Sequence, residues 1–258
     1  MKKIALYGSG KLIKIIVDCY NRGILKGYEI VGCYSRTLEN CNLINNELGL
    51  KNVNSFNDLI ERNPNYLVEA TNPAATKLIL EDTIKSHINV VLLSIGALAE
   101  PKYFEYIEKL AKDNDVKIHL ASGAIAGFQV LKTAQIMGLT KAGLTNTKGP
   151  KALKKTTLYN EEMENNDYVA FNGTASDAIK NLPTGINVGV ATALATMGVY
   201  DTNIKIQTKP DFIGDSQCID IECGDEIKAH LDVYSKTSDI AGYSVVALLN
   251  NLNSSIVF

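Results

Sequence analysis

The chain has no tryptophan, only three histidines, and five cysteines (Cys19, Cys33, Cys41, Cys218, Cys223) that form no C-x-x-C pair. Such spacing gives neither a disulfide framework nor a zinc signature, so reduced thiols in a cytoplasmic protein without a metal are expected. Long apolar runs are also missing. The longest, Ile186 to Tyr200, is interrupted by Gly189 and Gly198 and is short for a membrane span, so it reads as a buried helix. The N-terminal apolar run is only a strand long and leads straight into glycines, unlike a signal peptide. Charge of one sign is lacking too: 26 Lys and Arg stand against 28 Asp and Glu, a formal net charge of −2, with no long run of either. That balance offers no complementary surface to nucleic acid or an anionic membrane.

What is present is an alternation. Apolar runs at residues 4–7, 29–34, 66–70, 89–93 and 116–120 are separated by helical patterns at 11–20, 74–86 and 101–114. Strands joined through helices predict right-handed crossovers and a parallel sheet covered on both faces. Past a helical segment at 124–138 the character changes. Runs at 139–147, 156–159 and 168–172, and again at 203–208, 218–223 and 228–234, alternate apolar with polar residues, as half-buried antiparallel strands do. Helices are expected at 174–181, 187–197 and 239–252. The fold class is therefore α/β: an N-terminal Rossmann-type parallel sheet domain followed by an α+β domain on a mainly antiparallel sheet. The 258 residues divide as 1–122, 123–240 and a C-terminal helix with its tail at 241–258.

The first strand ends at Gly8-Ser9-Gly10, and a helix follows at once. Gly8 suits a tight turn, Gly10 lets backbone approach a pyrophosphate, and the first helical amides, at Lys11 and Leu12, offer N–H groups to the anion. The third glycine of that pattern is replaced by Ile13. At the end of the second strand, where an acidic residue would hold ribose hydroxyls, stand Ser35 and Arg36, a pair suited to a 2′-phosphate. NADP or NAD is the expected cofactor, with NADP favoured. Thr71 and Gly96 lie at further strand ends, where ligands of parallel sheets collect.

Several motifs together resemble the L-aspartate dehydrogenase family. These are Leu93-Ser94-Ile95-Gly96-Ala97-Leu98, Ala121-Ser122-Gly123-Ala124-Ile125-Ala126-Gly127, Thr147-Lys148-Gly149-Pro150, Phe171-Asn172-Gly173-Thr174-Ala175, Leu182-Pro183-Thr184-Gly185-Ile186-Asn187-Val188 and Lys236-Thr237-Ser238. The resemblance runs in order from Lys3 to about Leu249. It implies an NAD(P)-dependent oxidoreductase acting on a small amino acid or its imino counterpart. It further implies cofactor contacts at Ala124 and Asn187, and a homodimer, which the open face of an α+β sheet would also favour.

One position departs from the family. Where the family carries a histidine after a Pro, this chain has Gln217, or Cys218 if the count slips by one. Imidazole can exchange a proton near neutral pH, whereas an amide can only hold an oxygen. If amine chemistry survives, Lys148 is the first candidate for the proton, followed by Asp215 and Cys218. Lys148 and Lys236 are the motif cations available to a dicarboxylate. Two alternatives stay open: a dehydrogenase with a different small-molecule substrate, and a dinucleotide-binding paralogue without aspartate dehydrogenase activity.

Overall fold

The structure is a computed structural model that describes residues 1–182 and 185–258; Pro183 and Thr184 of the Leu182–Val188 motif lie outside it. By chain contacts it divides into two compact units, residues 1–123 with 239–258, and residues 124–238.

The first unit opens with β1 (Lys2–Tyr7), α1 (Lys11–Asn21) and β2 (Tyr28–Tyr34). It continues with α2 (Leu38–Glu47), α3 (Phe56–Ile60), β3 (Tyr66–Glu69), α4 (Pro73–Lys85), β4 (Asn89–Leu92), α5 (Pro101–Asp113) and β5 (Ile118–Leu120). All pairings are parallel, in the order β2-β1-β3-β4-β5. Ile4, Leu6, Val68 and Val91 are buried on one side and Ala5, Tyr7 and Leu67 on the other, in two separate cores. A sheet covered on both faces explains the near-continuous apolar strands of the sequence. Helices α2 and α3 carry no clear amphipathic stripe and were not expected from the pattern.

The second unit holds α6 (Phe128–Met137), β6 (Lys141–Lys148), β7 (Tyr168–Thr174), α7 (Ala175–Asn181), α8 (Asn187–Ala195), β8 (Asn203–Thr208), β9 (Asp215–Cys223) and β10 (Ile227–Ser235). Its sheet runs β10-β9-β6-β8-β7; only the β6–β8 pair is parallel. Helices α6 and α8 cover one face, against β9 and β6. Residues 217, 219, 221 and 223 of β9 point to that face and are buried, while Cys218 and Asp220 point away. Two expectations are corrected. The segment 156–159 is turn, not strand: Thr156 bonds back to the Leu153 carbonyl through both N–H and Oγ1, closing a tight turn instead of a ladder. The helix expected from Ala124 begins only at Phe128, because Gly127 takes a left-handed conformation (φ +68°) that starts the helix there.

The chain then returns to the first unit as α9 (Asp239–Leu252). Gly242 lets α9 approach Ile15 of α1, and Tyr28 Oη donates to the Leu249 carbonyl at 2.8 Å. The apolar stripe of the terminal helix thereby completes the core beneath α1.

Candidate active site

Within the first unit, the ends of β1, β2 and β3 enclose a cleft of about 240 Å³ lined by Gly8, Gly10, Ser35, Arg36 and Thr71, with Asn72 at its side. Gly8 sits at φ +129°, and a Cβ there would stand 2.6 Å from the Ala70 carbonyl oxygen, so only glycine fits. At Gly10 no atom lies within 4 Å of where a Cβ would be, and no side chain caps α1. The first-turn amides of α1, including those of Lys11 and Leu12, therefore face open space with no intrahelical partner, as an anion requires. The side chains of those two residues are used elsewhere: Lys11 pairs with Asp239, and Leu12 packs on the core. Ile13, in place of the third glycine, is fully buried in that same core.

At the ribose end Ser35 and Ser9 share a hydrogen bond of 3.0 Å, and Cys41 donates to Ser35 from below. The hydrogen bond from Cys33 above all, opposed by burial and helped by the Ser35 and Ser9 hydroxyls, lowers the Cys41 thiol to about 7. All five cysteines are unpaired. Arg36 is exposed and makes no hydrogen bond or ion pair among the described residues. A nucleotide phosphate would meet a free guanidinium.

Glu69 was missed by the sequence reading. A carboxylate at a strand end reads as solvated, yet this one is fully buried. It accepts from the Thr71 N–H and hydroxyl at 2.6 Å and from the Ser94 N–H and hydroxyl at 2.9 Å. Charge-assisted bonds thus tie the end of β3 to the start of the short 3-10 turn Ile95–Leu98 that carries Gly96.

In the second unit a polar cluster occupies one end of the covered sheet face. Lys148 and Asp215 are register partners with Nζ and Oδ1 3.3 Å apart, and the lysine side chain is only 15% exposed. Asn146 lies beside them and donates to Asp215 and to the Ser216 carbonyl. Gln217 faces Asn146 across the ladder, is 7% exposed, and its Oε1 has no hydrogen-bond partner among the described residues. Thr208, opposite Lys148 on β8, has an equally orphaned Oγ1. Unpartnered buried polar atoms also occur at Asn42 and Tyr103, but only here do two of them lie on one sheet face beside a charged pair. Lys236 is exposed just beyond β10, and its Cα lies against Gly214, next to Asp215.

Cys218 does not join this group, since strand alternation turns it to the opposite face. Asn187 opens α8, with Ile186 at the cap position, and Ala124 lies in the turn before α6. No histidine replaces the family's. His87 bonds the Asn114 carbonyl, His119 stacks near Tyr66, and His230 is on the same outward face as Cys218.

A glycine-turn dinucleotide cleft on a parallel sheet, with a second unit presenting a largely covered cation among amides, defines an NAD(P)-dependent oxidoreductase. The profile described as "Homoserine dehydrogenase, NAD binding domain" matches residues 9–121, and "Aspartate dehydrogenase, C-terminal" matches residues 129–252. The L-aspartate dehydrogenase of Methanocaldococcus jannaschii is 30% identical over 261 residues, covering 98% of this chain and 97% of that protein. That of Acinetobacter baumannii is 29% identical over 199 residues, covering 73% and 75%. The crystal structure of aspartate dehydrogenase from Thermotoga maritima superposes with a TM-score of 0.81 at 22% identity, over 100% of this chain and 99% of that one, and shows the same fold. The chain belongs to the L-aspartate dehydrogenase family. No described helix is long and apolar enough to cross a membrane.

Proposed function

We propose that this chain interconverts L-aspartate and its imino counterpart with NADP or NAD, NADP being preferred. The observation that carries the reading is the largely covered Lys148 beside the orphaned Gln217 and Thr208 oxygens, in the unit that matches the family's C-terminal profile. The bound nicotinamide would supply the hydride donor or acceptor. Gly8, Gly10, Ser35, Arg36 and Thr71 line its nucleotide cleft, the first amides of α1 meet the phosphates, and Arg36 takes a 2′-phosphate. Gly96, Ala124 and Asn187 are carried over as further cofactor contacts from the family motifs.

Lys148 and Lys236 are the cations for the two substrate carboxylates. A carboxylate entering beside Lys148 competes with Asp215 for the ammonium. Gln217 Oε1 is an acceptor, and the amine or imine N–H of the substrate is the donor it lacks. An amide has no proton to exchange at neutral pH, and an ammonium that holds a carboxylate has no lone pair to offer, so the proton that leaves the amine passes to Asp215. The same substitution favours a second reading, a dehydrogenase of this family with a different small amino or oxo acid as substrate.

A homodimer in the cytoplasm completes the proposal. The β7 end of the uncovered face of the second sheet, where Val169 is about half exposed and which lies at the opposite edge from β10, is the surface a second copy would cover, and five free thiols suit a reducing compartment.

The test is a titration of NADPH and NADH fluorescence, repeated with oxaloacetate and ammonia. Binding with oxidation of the cofactor is expected. Binding without turnover moves the assignment to the second reading, and no binding of either nucleotide overturns the dinucleotide cleft.

A further inference from the structure

The outward face of the second sheet carries a donor set that the reaction does not use. Cys218 and Asp220 are two residues apart on β9 and therefore share a face. His230 is the register partner of Asp220 on β10, which places it diagonally from Cys218. The three groups converge. Cys218 Sγ lies 3.4 Å from His230 Nδ1 and 3.5 Å from Nε2, and 3.6 Å from Asp220 Oδ2. His230 Nδ1 is 2.8 Å from Asp220 Oδ1. These are one thiol, one imidazole and one carboxylate whose ligand atoms all lie within 4.8 Å of one another.

Tetrahedral zinc has bonds of about 2.3 Å to sulfur and about 2.0–2.2 Å to nitrogen or oxygen, which separates neighbouring ligand atoms by roughly 3.3–3.6 Å. With one His230 nitrogen as the ligand, the separations of Sγ from Nδ1 and from Asp220 Oδ2, 3.4 and 3.6 Å, already fall in that range. The His230–Asp220 pair is shorter because it now shares a hydrogen bond, and a small opening would admit an ion between them. Thiolate and imidazole select a borderline metal such as zinc over magnesium or calcium, which prefer oxygen shells. Asp232, the register partner of Cys218, adds a further negative charge and is held by the Ser216 hydroxyl at 2.7 Å.

The geometry points to a zinc-class divalent metal site formed by Cys218, Asp220 and His230, with the fourth position open to water. The three-ligand count and the partial exposure give a site that exchanges metal, unlike a closed structural one. Sequence spacing could not reveal it, because the ligands come from a strand alternation and a cross-strand register, not from a C-x-x-C or H-x-x-x-H run. Its consequence is local. β10 is the edge strand of the sheet, and a metal bridging it to β9 pins an edge otherwise held by one ladder. β9 carries Gln217 on its other face.

The tag-free full chain, stripped with a chelator, is titrated with Zn²⁺ against a chromophoric chelator and with Co²⁺ by absorption. One equivalent per chain is expected, with a thiolate-to-cobalt charge-transfer band in the near ultraviolet. Cys218→Ser should remove that band, and both Cys218→Ser and His230→Ala should weaken binding about 100-fold or more. Added Zn²⁺ should raise the melting temperature of the parent chain and leave the two variants unmoved, which also reports that the variants fold. Absence of a charge-transfer band, or equal zinc uptake by the parent and both variants, overturns the site.

Discussion

Lys148 and Asp215 oppose each other across the β6–β9 ladder, 3.3 Å apart, at an end of that sheet face where polar side chains replace Ile and Leu. The lysine end of the pair is largely covered while the carboxylate end stays open to solvent, 15% against 46% exposed, so an incoming anion can reach the ammonium from the Asp215 side. In the proposed reaction a substrate carboxylate would compete with Asp215 for this ammonium. That competition makes Lys148 the residue whose loss should be felt most by substrate and least by nucleotide.

Lys148→Met should lower kcat/KM for oxaloacetate plus ammonia by about 10- to 100-fold, the range for removing a hydrogen bond to a charged group. NADPH affinity, read by fluorescence, should change less than about twofold on the same scale. Equal losses in both would mean that the variant is misfolded or that Lys148 serves the nucleotide.

Gln217→His returns the family's residue to a 7% exposed position. A positioned imidazole contributes about 10²–10⁴ in rate, so turnover should rise by about 10-fold or more even in an imperfect setting. The pH–rate profile should gain a limb near about 6.5. An unchanged rate and profile would show that Gln217 is not at the proton-transfer position.

Arg36 is exposed and without an ion pair among the described residues, so its replacement disturbs little of the fold. Arg36→Ala should weaken NADPH about 10- to 100-fold while moving NADH by less than about threefold, because only the former carries a 2′-phosphate. Equal affinities in the parent chain would remove the basis for NADP preference.

His119 is half-buried against Tyr66, and burial, reinforced by Lys117, lowers its pKa from the ordinary 6.5. The unfolded chain then binds a proton at a higher pH than the folded one. The contribution of His119 to stability is complete above 6.5 and is lost as pH falls from there through the lower folded value. His119→Gln should therefore reduce the acid-side fall in melting temperature below about pH 6.5 and leave the neutral side parallel to the parent. Superposable pH dependences for the two proteins would show that His119 titrates alike folded and unfolded.

Much of the first unit could be read from residues in a row. Gly8 and Gly10 between apolar runs announce a turn that only glycine can make, and the structure puts Ser35, Arg36 and Thr71 around the same cleft. Glu69 was illegible because its partners, Thr71 and Ser94, come from two strand ends that only the sheet brings together. Gln217 could be counted from Pro210 but its burial could not, since burial depends on which face α6 and α8 cover. Cys218 was paired with Gln217 by a one-residue slip, and a one-residue slip on a strand reverses the face.

Periodicity and glycine placement, which act over neighbouring residues, were enough for the α/β order and the nucleotide turn, while the family followed from the resemblance of short motifs. The environment of Glu69, the Lys148–Asp215 pair, the orphaned Gln217 oxygen and the Cys218–Asp220–His230 cluster were decided by register across strands. Register is set by packing over distances that no local pattern encodes, so these features exist only once the sheets have formed.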